Sequence, residues 1–163
     1  MSKAIKYKVE IIDRNTSYVK ALSELHAICF RGKGKEYWND QSFRVLLGAK
    51  GTIGFSATAD DCSLLGFVIG RSVMDESEVL TLCVLPTARR NGVAKNLMLK
   101  LIKRLSPSKR ILLEVATSND PALALYESLG FKQSGRRPAY YKKGTSRIAV
   151  SYTHLTLPTI YSV

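Results

Sequence analysis

Apolar and polar positions change period several times along the chain, and each change predicts an element. Tyr7, Val9 and Ile11 alternate as a first strand, and Tyr18, Leu22, Leu25, Ala27 and Phe30 then recur at helical spacing. A loop, Arg31-Gly32-Lys33-Gly34-Lys35, leads past Trp38 to a second helix with Asp40 near its start and Phe43, Leu46 and Leu47 on one face. Residues 52–58 and 63–72 read as a strand pair around Asp60-Asp61, and residues 77–85 as a buried strand stopped by Pro86. Ala94, Leu97, Met98, Leu101, Ile102 and Leu105 line one face of a helix over 92–105. A strand at 110–117, a helix at 121–129 ended by Gly130 and a strand from Phe131 complete a mixed α/β order without internal repeat or linker.

Length and composition then narrow the class. The 163 residues form one domain, long enough for a full core, with 45% hydrophobic and 23% charged residues as in an ordinary globular protein. No apolar run approaches the roughly 20 residues of a membrane span, and Met1-Ser2-Lys3-Ala4-Ile5-Lys6 lacks the apolar core of a signal peptide, so a cytoplasmic protein is expected; separately, a monomer is expected. Cys29, Cys62 and Cys83 are odd in number and show no CxxC spacing, which predicts reduced, packed thiols. His26 and His154 have no ligand-like neighbours in sequence, so no metal is expected.

The net charge of +12 is unevenly spread. No acidic residue falls between Glu78 and Glu114, where Arg89, Arg90, Lys95, Lys100, Lys103, Arg104, Lys109 and Arg110 all lie. Asp60, Asp61, Asp75, Glu76 and Glu78 cluster just before them. Either these are solvated faces, or a basic side meets a polyanionic ligand beside an acidic rim for a cationic one.

Arg89-Arg90-Asn91-Gly92-Val93-Ala94 stands where the buried strand gives way to the helix. Small residues at Gly92 and Ala94 let a ligand approach the backbone, the first-turn N–H groups point at it, and Arg89, Arg90 and Lys95 add positive charge. The alternative is a basic turn leading into a surface helix. A Walker loop and a Rossmann fingerprint are both absent. Further on, Glu114 interrupts the apolar Ile111-Leu112-Leu113-Glu114-Val115-Ala116, where burial of a carboxylate is costly unless it is paired or lines a wet cleft. It could equally be an edge residue paired with a base. Asp120 with Pro121 starts a helix with Ala122, Leu125, Tyr126 and Leu129 inward, and an inward Tyr126 is compatible with core packing or with catalysis.

The basic turn, Leu113-Glu114-Val115, Asn119, the stretch Ala124-Leu125-Tyr126-Glu127-Ser128-Leu129-Gly130-Phe131, then Gly135-Arg136-Arg137 and Tyr140-Tyr141 together resemble the Gcn5-related N-acetyltransferase (GNAT) superfamily. Within it the chain is most similar to the bacterial ribosomal-protein-alanine N-acetyltransferases, from Ile5 to about Ala149. The resemblance implies an α/β acyl-CoA N-acyltransferase fold, a central twisted, mostly antiparallel sheet flanked by about four helices. It implies that Arg89, Arg90, Asn91, Gly92, Val93, Ala94 and Lys95 hold the pyrophosphate of acetyl-CoA as cosubstrate. Backbone groups of Leu82, Cys83 and Val84 would bind the pantetheine arm, Asn119 would contact the same molecule, Glu114 would be the general base and Tyr126 the general acid. The substrate implied is the N-terminal alanine of a small-subunit ribosomal protein, attacked directly without a covalent enzyme intermediate. Acetylation of a small amine or a lysine side chain, or a non-catalytic CoA- or RNA-binding module, are the competing readings. No RNA-recognition aromatic motif is evident.

Two features depart from the family. Ala94 replaces the second glycine of the turn, and Tyr37 rather than proline precedes Trp38 in the loop expected to shape the peptide pocket. Val150-Ser151-Tyr152-Thr153-His154-Leu155-Thr156-Leu157-Pro158-Thr159 does not resemble the family's last strand. It is similar to in-frame translation of a transposon-end sequencing adaptor, so residues 150–163 are expected to be a non-native tail that leaves a sheet edge exposed after a domain of residues 1–149.

Overall fold

A computed structural model describes residues 3–31, 38–105, 107, 108, 110–138 and 148–154. Its strands are β1 (Tyr7–Ile11), β2 (Thr52–Ala59), β3 (Leu64–Val73), β4 (Glu76–Val84), β5 (Arg110–Ala116), β6 (Lys132–Pro138) and β7 (Ile148–His154). The helices are α1 (Val19–Phe30), α2 (Asp40–Gly48), α3 (Val93–Leu105) and α4 (Asp120–Ser128), with a short 3₁₀ turn at Pro86–Ala88. The fold is mixed α/β: a central twisted sheet of order β1-β2-β3-β4-β5-β7-β6, flanked by these helices. The chain divides into two compact units, one of residues 1–71 and 80–101, the other of residues 72–79 and 102–163.

In the first unit β1 runs antiparallel to β2 and β2 to β3. Leu22, Leu25, Cys29, Phe43, Leu47, Phe67, Ile69 and Cys83 form its core. The aromatic part of that core is ordered by geometry as well as by area. Phe43 meets Phe67 edge-on at 5.7 Å, and His26 stacks on Trp38 at 4.9 Å while accepting the Trp38 backbone N–H at 3.1 Å. That hydrogen bond is how a buried histidine is accommodated here. Asn39 caps α2 by accepting from the Ser42 N–H.

Three expectations for this unit change. Ile11, the third apolar position of β1, is 61% exposed, because the strand ends there and Ile12 turns inward, its N–H donating to the Gly54 carbonyl. Tyr18 stands outside α1 at its N-cap and is exposed, while Leu22, Leu25 and Ala27 are buried as expected and are joined by Val19, Ser23, His26 and Cys29. Cys62 is an exposed thiol in the β2–β3 turn, unlike the packed Cys29 and Cys83. The loop glycines and Tyr37 lie outside the described residues.

In the second unit, the ladder between β4 and β5 is parallel, from Glu76↔Arg110 to Glu78↔Leu112. Strand β5 alternates as its sequence requires, with Ile111, Leu113 and Val115 buried. The hydroxyls of Ser72, Ser77 and Ser108 form a chain at 2.7 and 2.5 Å, which satisfies the buried Ser77. The turn joining β3 to β4 holds Met74 at φ 55° and 96% exposed. Helix α4 is capped by Asn119, whose side chain accepts from the Ala122 N–H, so the cap is one residue earlier than Asp120.

Among the described residues, the expected exposed edge is not found at β7. Strand β7 extends to His154 between two neighbours, pairing Val150–His154 with Val115–Ile111 of β5 and with β6 on its other side. Residues 150–154 thus enter the sheet.

Candidate active site

The Arg89–Lys95 turn of the first unit is shaped by two left-handed residues. Arg90 lies at φ 63° and Gly92 at φ 76°. Gly92 is suited to that conformation, and a β-carbon placed on it would meet only the Tyr7 hydroxyl, at 3.8 Å, so this side of the turn is open. The Gly92 carbonyl accepts the Asn96 N–H at 3.0 Å, which makes glycine the N-cap of α3. Having no side chain, it cannot cap the N–H groups of Val93, Ala94 and Lys95, which have no helical carbonyl behind them. The turn is fastened from within by Asn91, whose Nδ2 donates to the carbonyls of Ala88 at 3.2 Å and Arg89 at 3.0 Å. The arrangement can receive an anion: helix-start N–H groups without helical carbonyl partners, an open face and exposed Arg89, Arg90 and Lys95.

The strand before the turn contributes unevenly. The Cys83 carbonyl faces Gly66 of β3 so closely that a β-carbon there would lie 2.8 Å from it. Backbone groups of a strand alternate sides, so those of Leu82 and Val84 point away from β3. The Val84 carbonyl accepts from Arg89 Nε at 3.3 Å and from the Cys29 thiol at 3.5 Å. Arg89 is thereby folded back along the strand that precedes it.

Cys29 and Cys83 are titratable thiols beside the end of this strand that leads into the turn. A hydrogen bond with the Cys83 thiol, aided by the Arg89 charge, holds Cys29 below the ordinary thiol range against its burial. Burial pushes Cys83 the other way, well above that range, and Cys29 adds to the rise.

The remaining predicted residues belong to the second unit. Glu114 lies on the exposed face of β5 with the half-buried Leu112 and Ala116, so no carboxylate is buried within the strand. Tyr126 is 7% exposed, the buried residue of α4, with its ring 5.9 Å from that of Phe131. Asn119, beside them in sequence, is committed to the α4 cap.

Two residues of the predicted acidic cluster have partners within their own units. Asp61 accepts from the Ser63 hydroxyl and N–H in its own turn, which lowers its pKa, the hydroxyl having the larger effect. Glu76 forms an ion pair with Arg110 across the β4–β5 ladder. Among the described residues no three His, Cys, Asp or Glu side chains are gathered to hold a metal ion. Tyr7 is the site residue that sequence reasoning misses, since its hydroxyl reaches the turn from 84 positions away.

Comparison with known proteins bears on the family and the fold. Residues 19–131 match the model of the acetyltransferase (GNAT) family. The [ribosomal protein bS18]-alanine N-acetyltransferase of Salmonella typhimurium is 35% identical over 108 residues, covering 64% of this chain and 70% of that protein. The crystal structure of the ribosomal-protein-S18-alanine N-acetyltransferase from Escherichia coli superposes with a TM-score of 0.78 at 24% identity, over 93% of this chain and 96% of the other. The structure of yncA from Salmonella typhimurium with its cofactor acetyl-CoA superposes with a TM-score of 0.77 at 14% identity, over 91% and 93%.

Proposed function

Because the chain belongs to the acetyltransferase (GNAT) family, we propose that it transfers an acetyl group from acetyl-CoA to a protein N-terminal α-amine, that of the alanine at the start of a small-subunit ribosomal protein. The observation that carries the chemistry is the left-handed turn at Arg90 and Gly92 opening onto the uncapped start of α3. The likeness to the Salmonella bS18-alanine enzyme supports the choice of amine.

The turn fits a pyrophosphate, because Gly92 leaves space where a side chain would stand, at a helix start whose first N–H groups have no helical carbonyl to bond. Acetyl-CoA supplies the activated acetyl thioester when bound. Arg89, Arg90 and Lys95 neutralise the phosphates, while Leu82 and Val84, whose backbone groups face away from β3, align the arm. Asn119 fixes the start of α4 and with it the position of Tyr126.

An α-amine has a reference pKa near ~8, so at neutral pH much of it is ammonium and must lose a proton before it can attack. Glu114, solvated on β5, accepts that proton directly or through water. A tyrosine hydroxyl has a reference pKa of about 10 and is protonated at pH 7, so Tyr126 donates to the departing thiolate.

A substrate panel tests the reading. Acetyl-CoA turnover is expected with a peptide that begins with the ribosomal alanine, and not with polyamines or an internal lysine, whose reference pKa of about 10.4 demands more of the base. The reverse selectivity would move the protein to another branch of the family. Tyr126→Phe is expected to bind CoA normally and to lose turnover by about 10²-fold, the lower end for one acid–base group. An unchanged rate would remove the acid role.

A further inference from the structure

Tyr7 belongs to no motif of the sequence, yet its hydroxyl reaches both ends of the phosphate-binding turn. Its Oη accepts from Asn96 Nδ2 at 2.5 Å and donates to the Asn91 carbonyl at 3.4 Å. Asn91 precedes the left-handed Gly92, and Asn96 stands one helical turn beyond it, its own N–H on the Gly92 carbonyl. The hydroxyl is also the nearest atom to the space that a β-carbon on Gly92 would occupy. One phenol from β1 therefore spans the residue on which the whole turn pivots. The rest of the side chain has its own anchor, since Tyr7 pairs with Ala59 across the β1–β2 ladder.

We propose that Tyr7 is a positioning residue for the cosubstrate: its hydroxyl holds the Asn91–Asn96 turn in the shape that receives the pyrophosphate, without itself taking part in acetyl transfer. The inference rests on the reading of that turn as the acetyl-CoA site. Its physical basis is preorganisation. A turn with two residues at positive φ, Arg90 and Gly92, is an uncommon conformation, and without a brace it would be ordered only when the ligand arrives. The tie to Asn96 fixes the first turn of α3, and the tie to Asn91 fixes the residue before the glycine. Asn91 itself donates to Ala88 and Arg89, so the brace extends to the start of the loop. A strand edge more than eighty residues away in sequence thus sets the geometry of the N–H groups.

The test uses substrates that share the thioester and differ in the handle. Tyr7→Phe keeps the ring and removes the hydroxyl. It is expected to raise KM about fivefold for acetyl-CoA and equally for acetyl-dephospho-CoA, which lacks only the ribose phosphate, with kcat falling less than twofold. KM for S-acetylpantetheine, which lacks the pyrophosphate, should not change. A loss confined to acetyl-CoA would mean a direct contact with the ribose phosphate and would overturn the positioning role. An equal loss for all three substrates with a lowered melting temperature would reduce Tyr7 to a structural residue and also overturn it.

Asn96→Ala provides the second arm. If the hydroxyl acts through Asn96, the double variant should be no worse than the poorer single one, whereas additive losses would sink the inference. Arg89→Ala separates this failure from that of the underlying reading. CoA affinity unchanged by Arg89→Ala would remove the turn as the cosubstrate site, and affinity weakened by Arg89→Ala but untouched by Tyr7→Phe would remove only the role of Tyr7.

Discussion

The carbonyl of Val84 receives both Arg89 Nε and the Cys29 thiol, on the strand proposed to align the acyl carrier. Cys29 consequently ionises in the folded chain below the pH at which the unfolded chain would lose the same proton. Its contribution to stability is present above the unfolded thiol value and is lost as the pH falls through the folded one. Cys83 acts in the opposite sense, because burial keeps it protonated and stability erodes once the pH passes the ordinary thiol range. In a Cys62→Ser background, the ultraviolet thiolate band should therefore show a step below the ordinary thiol value of about 8.5. Cys29→Ser should abolish that step, and a native chain with no such step would disprove the interaction. A sequence could not disclose this, because Cys29 and Cys83 are brought together only by packing α1 on β4.

Secondary elements differ in how far local pattern decides them. Helix α3 is legible because six apolar positions keep one phase, and all but the half-buried Ala94 are buried. The start of α1 is not legible, since no side chain caps it and Tyr18 mimics the helical spacing from outside. At α4 two good capping residues adjoin, Asn119 and Asp120, and only the path of the backbone decides between them. Asn119→Ala should cost about 1 kcal/mol by denaturant titration, and Asn119→Asp should recover most of it if the cap is the cause. The β3–β4 turn carries the reverse kind of local conflict. A positive φ at the first of its two central residues is the place for glycine in a type II′ hairpin, and Met74 fills it while almost wholly exposed. Met74→Gly is expected to stabilise the protein by about 1 kcal/mol, the left-handed penalty less part of the entropy of glycine. A lower melting temperature in this variant would show that the side chain contributes more than its exposure indicates.

At the scale of the molecule, strand order was beyond the reach of pattern, as was the fate of the last strand. A run such as Val150-Ser151-Tyr152-Thr153 has high strand propensity whatever its origin, and its register is set by β5 and β6 rather than by its own sequence. The proposal that residues 150–163 are read-through of an adaptor stands apart from their pairing, and resequencing the source locus decides it: an uninterrupted genomic frame would end it. A chain stopped at Ala149 tests what the strand contributes. It should lose the ladder from Val150 to His154 with β5 and from Val150 to Thr153 with β6, and melt on the order of 10 °C lower, equivalent to several kcal/mol. An unchanged melting curve would mean that the second unit closes without it.

The turn at Arg90 carries a different kind of consequence, one for laboratory evolution. Arginine occupies there a backbone conformation in which glycine or asparagine would be at ease. Selection for heat resistance alone should drift that position towards Gly or Asn, whereas selection for turnover should restore the arginine. Two populations descended from this one sequence would then part first at the loop where conformational comfort and positive charge cannot both be had.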